Sequence, residues 1–243
     1  VEDTYADTFK IPVLPKGPID ENACQSIEAS KREGNIKAFS YQKFISEYLR
    51  QASPYRGLLV YHGLGSGKTC SAIAAAEALY GSSNKKIIVM TPFSLRPNFI
   101  SEITFCGFKH FNVNNHWVKQ PLATEYESAP VYYYARDILS LPEKFLNEVL
   151  RRSEEARRVI WIPDFDKPSN YYDVKQITPQ EQADIRQQIM TAIENRITFI
   201  SYNGVTSTTL KKYACTLDDD GNRFFDNSVI VIDEIHNLIR LMQ

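Results

Sequence analysis

The stretch from residue 57 to residue 81 constrains the fold most, because it joins an apolar run, a glycine-dense loop and an alanine-rich segment. The apolar run at 58–61 has the length of a strand that is buried on both faces. Apolar residues between 72 and 80 recur at helical spacing, which favours a helix that ends at Gly81. A strand, a glycine loop and a helix N-terminus in this order bind anions through backbone N–H groups and the helix dipole. The sequence therefore predicts a phosphate-binding loop at the end of a buried strand.

The residue types in this loop are those of a nucleotide-binding P-loop. Lys68 is expected to reach the β- and γ-phosphates of ATP, and Thr69 to offer its hydroxyl to Mg²⁺. The pattern departs from the strict form once, because His62 occupies the position of its first glycine. A glycine-rich turn before a core helix is the alternative, which the order of strand, loop and helix disfavours. The predicted nucleotide-binding residues of the loop are Gly63, Leu64, Gly65, Ser66, Gly67, Lys68 and Thr69.

Two further apolar segments, residues 86–90 and 228–232, are predicted to be buried strands. A strand, a helix and another strand in succession indicate a parallel sheet. The segment at 228–232 runs directly into Asp233 and Glu234, and ligands bind at the carboxyl ends of parallel strands. We therefore expect Asp233 to hold the Mg²⁺ and Glu234 to act as the general base for an attacking water. Without the predicted phosphate-binding loop upstream, an acidic pair after a strand would usually be only the start of a connecting loop.

The rest of the chain is predicted to form one domain behind an N-terminal arm. Residues 1–36 contain several prolines and scattered charges, which favours an extended arm. At 243 residues the chain is long enough for one large α/β domain and short for two, and residues 37–243 are predicted to form that domain. Periodicity and capping patterns predict helices at about 38–52, from 97, at 140–150, at 178–195 and from 207, and a strand at 197–200.

Within this domain, residues 112–176 are predicted to be a less regular insertion. Its aromatic-rich stretches at 131–134 and 159–162 could each form a strand. Ser140 and Glu143 have the spacing of a capping box, and so do Thr178 and Glu181. The acidic run at 218–222 is predicted to be a turn, because it lacks the spaced ligands and terminal glutamate of a calcium loop.

Composition limits the partners that the chain as a whole attracts. It has 28 basic and 29 acidic residues and a net charge of −1, so any contact with a polyanion must be local. The four cysteines are widely spaced without a Cys-x-x-Cys pair. That spacing predicts core-filling cysteines in a reducing intracellular compartment, and it fits neither a disulfide framework nor a zinc site. No apolar run approaches the roughly 18 residues of a membrane helix, so no membrane partner is expected.

In chain order, these motifs resemble the first RecA-like lobe of superfamily 2 helicases and translocases. Gln42 resembles the adenine-reading glutamine ahead of the P-loop, and residues 63–69 resemble motif I. Thr91-Pro92 with Ser94-Leu95 resembles motif Ia, and Asp233-Glu234-Ile235-His236 resembles the DExH form of motif II. The resemblance implies an α/β fold: a RecA-like P-loop NTPase lobe with a mostly parallel sheet and helices on both faces.

Three stretches of the sequence resemble a narrower group of proteins within this superfamily. Residues 55–73, 199–204 and 231–239 are similar to helicase-like ATPases of large nucleocytoplasmic DNA viruses, related to poxvirus early-transcription and nucleoside-triphosphatase proteins. The resemblance covers about residues 38–110 and 195–240, and it leaves the middle of the chain uncovered.

The resemblance implies a role for each matched residue. Lys68 and Glu234 are the implied catalytic residues, Thr69 and Asp233 the metal ligands, and His236 the residue that couples the nucleotide state to nucleic acid. The residues implied to lie near the nucleic-acid backbone are Thr91, Pro92, Ser201 and Tyr202. For Tyr202 a core aromatic is an equal alternative, and for His236 the alternative is an ordinary loop histidine.

The implied function is that of the ATP-binding lobe of a helicase or translocase, which couples Mg-ATP hydrolysis to movement on DNA or RNA in viral transcription or genome handling. The sequence ends at Gln243, before the Ser-Ala-Thr motif and the second lobe with its arginine finger, so little activity is expected of this chain alone. The alternative is a non-catalytic nucleotide-binding module that docks on a viral RNA polymerase or is packaged in a virion. The expected partners are nucleic acid and a second RecA-like lobe, in a virion or a viral factory in the host cytoplasm.

Overall fold

A computed structural model describes residues 40–50, 57–61, 67–83, 86–123, 129–153, 157–217 and 221–242. Its α-helices are α1 (Ser40–Arg50), α2 (Lys68–Ser83), α3 (Arg96–Cys106), α4 (Ala129–Tyr133), α5 (Glu143–Leu150), α6 (Pro179–Arg196), α7 (Ser207–Cys215) and α8 (Ile235–Met242). Its strands are β1 (Lys86–Thr91), β2 (His116–Pro121), β3 (Val159–Asp164), β4 (Ile197–Ser201) and β5 (Ser228–Ile232). None of these helices combines the length and the apolarity that crossing a bilayer requires.

A parallel sheet with the strand order β4-β1-β5 lies at the centre of the fold. The central strand β1 is buried from Ile87 onward, because it has a strand on each side and helices on each face. Ile87 and Val89 belong to a core cluster that also contains residues of α2, α3 and α6. Ile88 and Met90 point to the other face, where residues of α7 and α8 pack. The predicted α/β fold with a parallel sheet, consistent with a RecA-like lobe, is confirmed.

The middle of the chain adds a second, antiparallel sheet, in which β2 pairs with β3. Two buried amide side chains satisfy the outer edges of this sheet. Asn170 accepts from the backbone N–H of Trp117 and donates to its carbonyl, at 2.8 and 3.1 Å. Gln188 does the same for Trp161, at 2.9 and 2.7 Å. Each amide thus stands where a further strand would otherwise pair, and both tryptophans join the main core.

Most of the predicted elements are confirmed, including the strands at 86–90, 197–200 and 228–232 and a strand over 159–162. The capping box of Thr178 and Glu181 is present with both of its hydrogen bonds at the start of α6. The stretch at 131–134, in contrast, is helical: α4 continues into a π-helical turn, Tyr134–Ile138. The strand prediction there was wrong, because aromatic residues suit a half-buried helix face as well as a strand.

The capping box predicted at Ser140 was also wrong, although the helix it was meant to open, α5, is present. Pro142 is the N-cap of α5, and no side chain caps it. Ser140 has a positive φ of 57° and faces the end of α6 instead. Its hydroxyl accepts from Arg196 at 2.9 Å and its carbonyl accepts from Asn195 at 2.9 Å. A tertiary contact has therefore replaced the local cap.

The strand predicted at 58–61 is absent, and Gly81 does not end the helix that follows the loop, since α2 continues to Ser83. Residues 57–61 have no regular secondary structure, with Leu59 73% and Tyr61 91% exposed. A parallel strand is stable only beside another strand. Among the described residues, β5 pairs on one edge alone, and its Ile230 is 43% exposed. The apolar run at 58–61 was therefore predicted to be buried, but no described strand lies beside it to bury it.

The cysteines depart from the prediction as well. Cys70 and Cys106 form a disulfide, although 36 positions separate them in the chain. Cys215 is a free, exposed cysteine, and Cys24 lies outside the described residues. Sequence spacing did not indicate the pair, because the packing of α2 against α3 brings the two sulfurs together. The N-terminal arm predicted at 1–36 also lies outside the described residues.

Candidate nucleotide and metal site

Asp233 is held in place by the carboxyl ends of all three parallel strands. It follows β5 directly, and its backbone N–H donates to the carbonyl of Met90 on β1 at 2.9 Å. The hydroxyl of Thr91, also on β1, donates to the Asp233 carboxylate at 3.3 Å. The hydroxyl of Tyr202, which follows β4, donates to the Asp233 backbone carbonyl. The aspartate therefore has a defined position at the edge of the sheet where a ligand of a parallel fold is expected.

The electrostatic surroundings of Asp233 favour a cation. Burial raises the pKa of Asp233, and the neighbouring Glu234 carboxylate raises it further. Lys68, at the start of α2, acts in the opposite direction on this pKa, so its ammonium lies within electrostatic range of the Asp233 carboxylate. A partly desolvated carboxylate gains stability when a cation binds beside it.

Glu102 is a site residue that the sequence did not reveal. It lies on α3, and its carboxylate accepts a hydrogen bond from the Thr69 hydroxyl. Burial raises the pKa of Glu102, and the charge of Asp233 adds to this increase. An acidic residue on a helix is usually solvated, and no motif marks this one. Only the packing of α3 against the first turn of α2 brings Glu102 to the site.

The end of the predicted phosphate loop lies at the N-terminus of α2. Gly67 has a φ of +72°, a left-handed conformation that a side chain disfavours, which explains a glycine directly before Lys68. Its carbonyl accepts from the backbone N–H and the hydroxyl of Ser71, at 3.0 and 3.1 Å. The predicted loop residues Gly63, Leu64, Gly65 and Ser66 lie outside the described residues. Gly67, Lys68 and Thr69 thus form the described part of the predicted loop, beside Asp233.

Gln42, the predicted adenine-reading residue, connects helix α1 to this loop. Its side chain is 6% exposed, and its Nε2 donates to the carbonyl of Gly67 at 3.3 Å. Gln42 is therefore adjacent to the phosphate loop, although it lies 25 positions before Gly67 in the chain. Its role in reading a base stays a prediction.

Glu234 and His236, the predicted base and coupling residue, contact each other. Glu234 has a φ of +50°, which is uncommon for a residue other than glycine and occurs often at functional sites. This conformation turns the chain from β5 into α8, and the Glu234 carbonyl accepts from the N–H of Asn237 at 2.9 Å. The Nδ1 atom of His236 lies 3.2 Å from the Glu234 carboxylate. The structure thus brings together two residues that were predicted to act in one cycle.

The four residues predicted to lie near nucleic acid differ in their placement. Thr91 and Tyr202 are 1% and 2% exposed and support Asp233 from within the lobe. Burial, followed by the charges of Asp233 and Glu234, raises the pKa of Tyr202 to about 12, so its hydroxyl stays protonated as a donor. Pro92 is partly exposed, and the buried hydroxyl of Ser201 has no hydrogen-bond partner among the described atoms. The core alternative for Tyr202 fits this placement, and nucleic-acid contact by the four stays a prediction.

The donor atoms of the site fit the groups that the motifs imply. Thr69 contributes a hydroxyl, and Asp233 and Glu102 contribute carboxylates, so the donors are the hard oxygen atoms that Mg²⁺ prefers. Lys68 and the N-terminus of α2 supply the positive charge and N–H groups that a polyphosphate requires.

Comparison with known proteins gives partial matches to viral helicase-like proteins. A protein of Acanthamoeba polyphaga mimivirus named "Putative ATP-dependent RNA helicase" is 39% identical over 133 residues, which are 53% of this chain and 21% of that protein. A second mimivirus protein of the same description is 40% identical over 81 residues, or 32% of this chain and 7% of that protein. A Frog virus 3 protein named "Putative helicase" is 28% identical over 100 residues, or 40% of this chain and 10% of that protein.

These matches cover part of each protein. The chain spans about a fifth of the length of the first relative and a tenth or less of the other two. No protein-family model and no solved structure matches the chain. Together, the partial matches show that this chain is similar to helicase-like proteins of large DNA viruses.

Proposed function

We propose that this chain is the ATP-binding lobe of an ATP-dependent helicase or translocase that acts on DNA or RNA. The observation that carries the proposal is the placement of Lys68 and Thr69, at the N-terminus of α2, beside Asp233 at the end of β5. These elements are far apart in sequence, and they meet where a parallel sheet binds its ligand. The names of the similar viral proteins agree with this activity.

Each residue of the site has a distinct part in the proposed reaction. Lys68 and the backbone N–H groups at the start of α2 bind the phosphates. Thr69 and Asp233 hold the Mg²⁺, which when bound neutralises phosphate charge. Glu234 orients the attacking water and accepts its proton, and His236 contacts Glu234 and so connects the base to α8.

Several finer aspects belong to the same proposal. Movement along nucleic acid requires a second RecA-like lobe, whose arginine stabilises the transition-state charge. We place the protein in viral transcription or genome handling, with a viral RNA polymerase or virion components as candidate partners, and in a virion or viral factory in the host cytoplasm. The similarity to viral helicase-like proteins supports the viral part of this proposal.

Nucleotide binding is tested with Lys68→Ala, which removes the positive side chain next to Asp233 while α2 keeps a good helix former. Isothermal titration calorimetry with Mg-ATP should show binding to the unchanged chain and its loss in Lys68→Ala. The matched control is Lys144→Ala on α5, an exposed lysine that should leave the affinity unchanged. Unchanged affinity in a folded Lys68→Ala protein would refute the site.

Catalysis and nucleic-acid coupling are tested by steady-state ATP hydrolysis with and without single-stranded and duplex DNA or RNA. The proposal expects nucleic acid to stimulate hydrolysis when a second lobe is supplied, in cis or in trans, and expects Lys68→Ala to abolish the stimulated rate. ATP binding with no hydrolysis under these conditions would instead indicate the non-catalytic nucleotide-binding module.

A further inference from the structure

A disulfide lies directly beside the proposed metal ligand Thr69. Cys70, its neighbour in the first turn of α2, is bonded to Cys106, the last residue of α3, with the two Cα atoms 5.6 Å apart. Both cysteines are half-buried, so a small reagent can reach the pair. The bond connects the helix that carries Lys68 and Thr69 to the helix that carries Glu102.

The packing of the two helices holds the cysteines together independently of the bond. Ile73 on α2 is 2% exposed and sits against Gly107, the residue after Cys106. The approach is so close that a Cβ added to Gly107 would lie 2.7 Å from the Cγ2 atom of Ile73. Ile103 on α3 belongs to the same core cluster and is fully buried. Two reduced cysteines would therefore stay near each other, which favours reversible closure of the bond.

Glu102 connects this pair to the proposed metal site. Its carboxylate lies 3.6 Å from the Cys70 sulfur and also accepts from the Thr69 hydroxyl. Its backbone carbonyl lies 3.2 Å from the Cys106 sulfur. In the disulfide neither sulfur carries a hydrogen, so the hydroxyl of Thr69 is the donor to the carboxylate in this cluster. A thiol at Cys70 would be a second donor to the same carboxylate.

We propose that Cys70 and Cys106 form a reversible thiol–disulfide exchange site, and that its oxidation weakens the binding of Mg-nucleotide at Thr69. The inference rests on the proposed function of the Lys68, Thr69 and Asp233 site. With the bond closed, Glu102 keeps the Thr69 hydroxyl engaged and α2 stays fastened to α3. With the bond open, α2 is no longer fastened to α3, and a Cys70 thiol competes with Thr69 for the Glu102 carboxylate, so the Thr69 hydroxyl can turn to the metal.

The exchange needs a disulfide or a dithiol as co-reactant, and a low-molecular-weight pair such as oxidised and reduced glutathione supplies it. One cysteine sulfur attacks the glutathione disulfide, forms a mixed disulfide and releases one glutathione thiolate. The other cysteine sulfur then attacks the mixed disulfide, closes the Cys70–Cys106 bond and releases the second thiolate. The protein loses two electrons and two protons, and one glutathione disulfide becomes two thiols. Reduction follows the reverse path.

The test compares Mg-ADP affinity of the chain equilibrated with oxidised or with reduced glutathione. Alkylation followed by peptide mass spectrometry identifies which cysteines are bonded in each sample, and calorimetry gives the affinity. The oxidised form should bind Mg-ADP about 5-fold or more weakly, a typical size for coupling between two sites. The double variant Cys70→Ser with Cys106→Ser, which offers glutathione no sulfur at this site and keeps a hydroxyl donor beside Glu102, should bind like the reduced form in both buffers. Cys215→Ser, which removes the free exposed cysteine, should respond like the unchanged chain.

The outcomes separate this inference from the function on which it rests. Equal affinity in the two buffers, tighter binding by the oxidised form, or no Cys70–Cys106 bond in oxidised glutathione would each overturn the inference and leave the nucleotide site standing. Absence of Mg-ADP binding in both buffers would overturn the inference and the proposed function together.

Discussion

The hydroxyl of Tyr202 donates a hydrogen bond to the backbone carbonyl of Asp233 and lies 3.2 Å from the carbonyl of Met90. Tyr202 follows β4, Met90 belongs to β1 and Asp233 follows β5, so a single hydroxyl connects the carboxyl ends of the three parallel strands. Tyr202 itself is buried, at 2% exposed, and its hydrogen bond fixes the backbone of the proposed metal ligand.

Tyr202→Phe should destabilise the protein by about 1–3 kcal/mol, because it leaves the Asp233 carbonyl without the Tyr202 donor while the ring still fills its place. The free energy of unfolding in urea measures this change. Tyr172→Phe is the control, since Tyr172 is 62% exposed and its change should be close to zero. Equal stability of the two variants would show that the Tyr202 hydroxyl does not support Asp233.

Asp233→Asn should stabilise the fold at neutral pH. Burial and Glu234 hold the pKa of Asp233 above its ordinary value of 3.8, so the folded state disfavours the charged form. Stability from this group is present below the unfolded pKa and is lost as the pH rises through the folded pKa. Asparagine has no charge to bury and can still accept from Thr91, so the variant should lose less stability over this pH range.

The free energy of unfolding in urea, measured between about pH 3 and pH 8, shows the effect of Asp233→Asn. Asp184→Asn on the exposed face of α6 is the control. The Asp233 variant should also lose Mg²⁺-dependent nucleotide binding, because it lacks the carboxylate. A variant that is less stable than the unchanged chain at pH 7 would contradict the electrostatic argument.

When the second lobe is supplied, as in a full-length protein, Glu234→Gln should preserve nucleotide binding and lower ATP turnover by about 10² or more, because it keeps the size and the hydrogen bonding but removes the basic carboxylate. Calorimetry and steady-state hydrolysis separate the two effects. Glu148→Gln on the exposed side of α5 is the matched control. Near-normal turnover in the Glu234 variant would assign the base to another residue.

Gly107→Ala should destabilise the protein by about 1–3 kcal/mol, since the added methyl group forces α2 and α3 apart. Its Cβ would meet the Cγ2 atom of Ile73 at 2.7 Å and the carbonyl of Ile103 at 2.8 Å. Gly204→Ala is the control, because a Cβ there meets no described atom within 4 Å. If thermal unfolding shows the two variants to be alike, the close approach of the helices is not as described.

The sequence alone predicted the features that depend on local patterns. The buried runs at 86–90 and 228–232 form strands of the parallel sheet, and Thr178 with Glu181 opens α6. The P-loop motif and the acidic pair after β5 predicted that Lys68, Thr69 and Asp233 lie close together, and the structure brings them together. These predictions succeeded because periodicity, caps and motif order are written in neighbouring residues, and because parallel strands present their carboxyl ends at one edge.

Tertiary structure alone decided the rest. Glu102 reaches Thr69, and Cys70 meets Cys106, because α2 packs on α3 through Ile73 and Gly107. Ser140 left its predicted cap for contacts with the end of α6, and the apolar run at 58–61 has no described strand to pair with. Each of these outcomes depends on which surfaces touch, a property of residues distant in the chain, so no local pattern could have carried it.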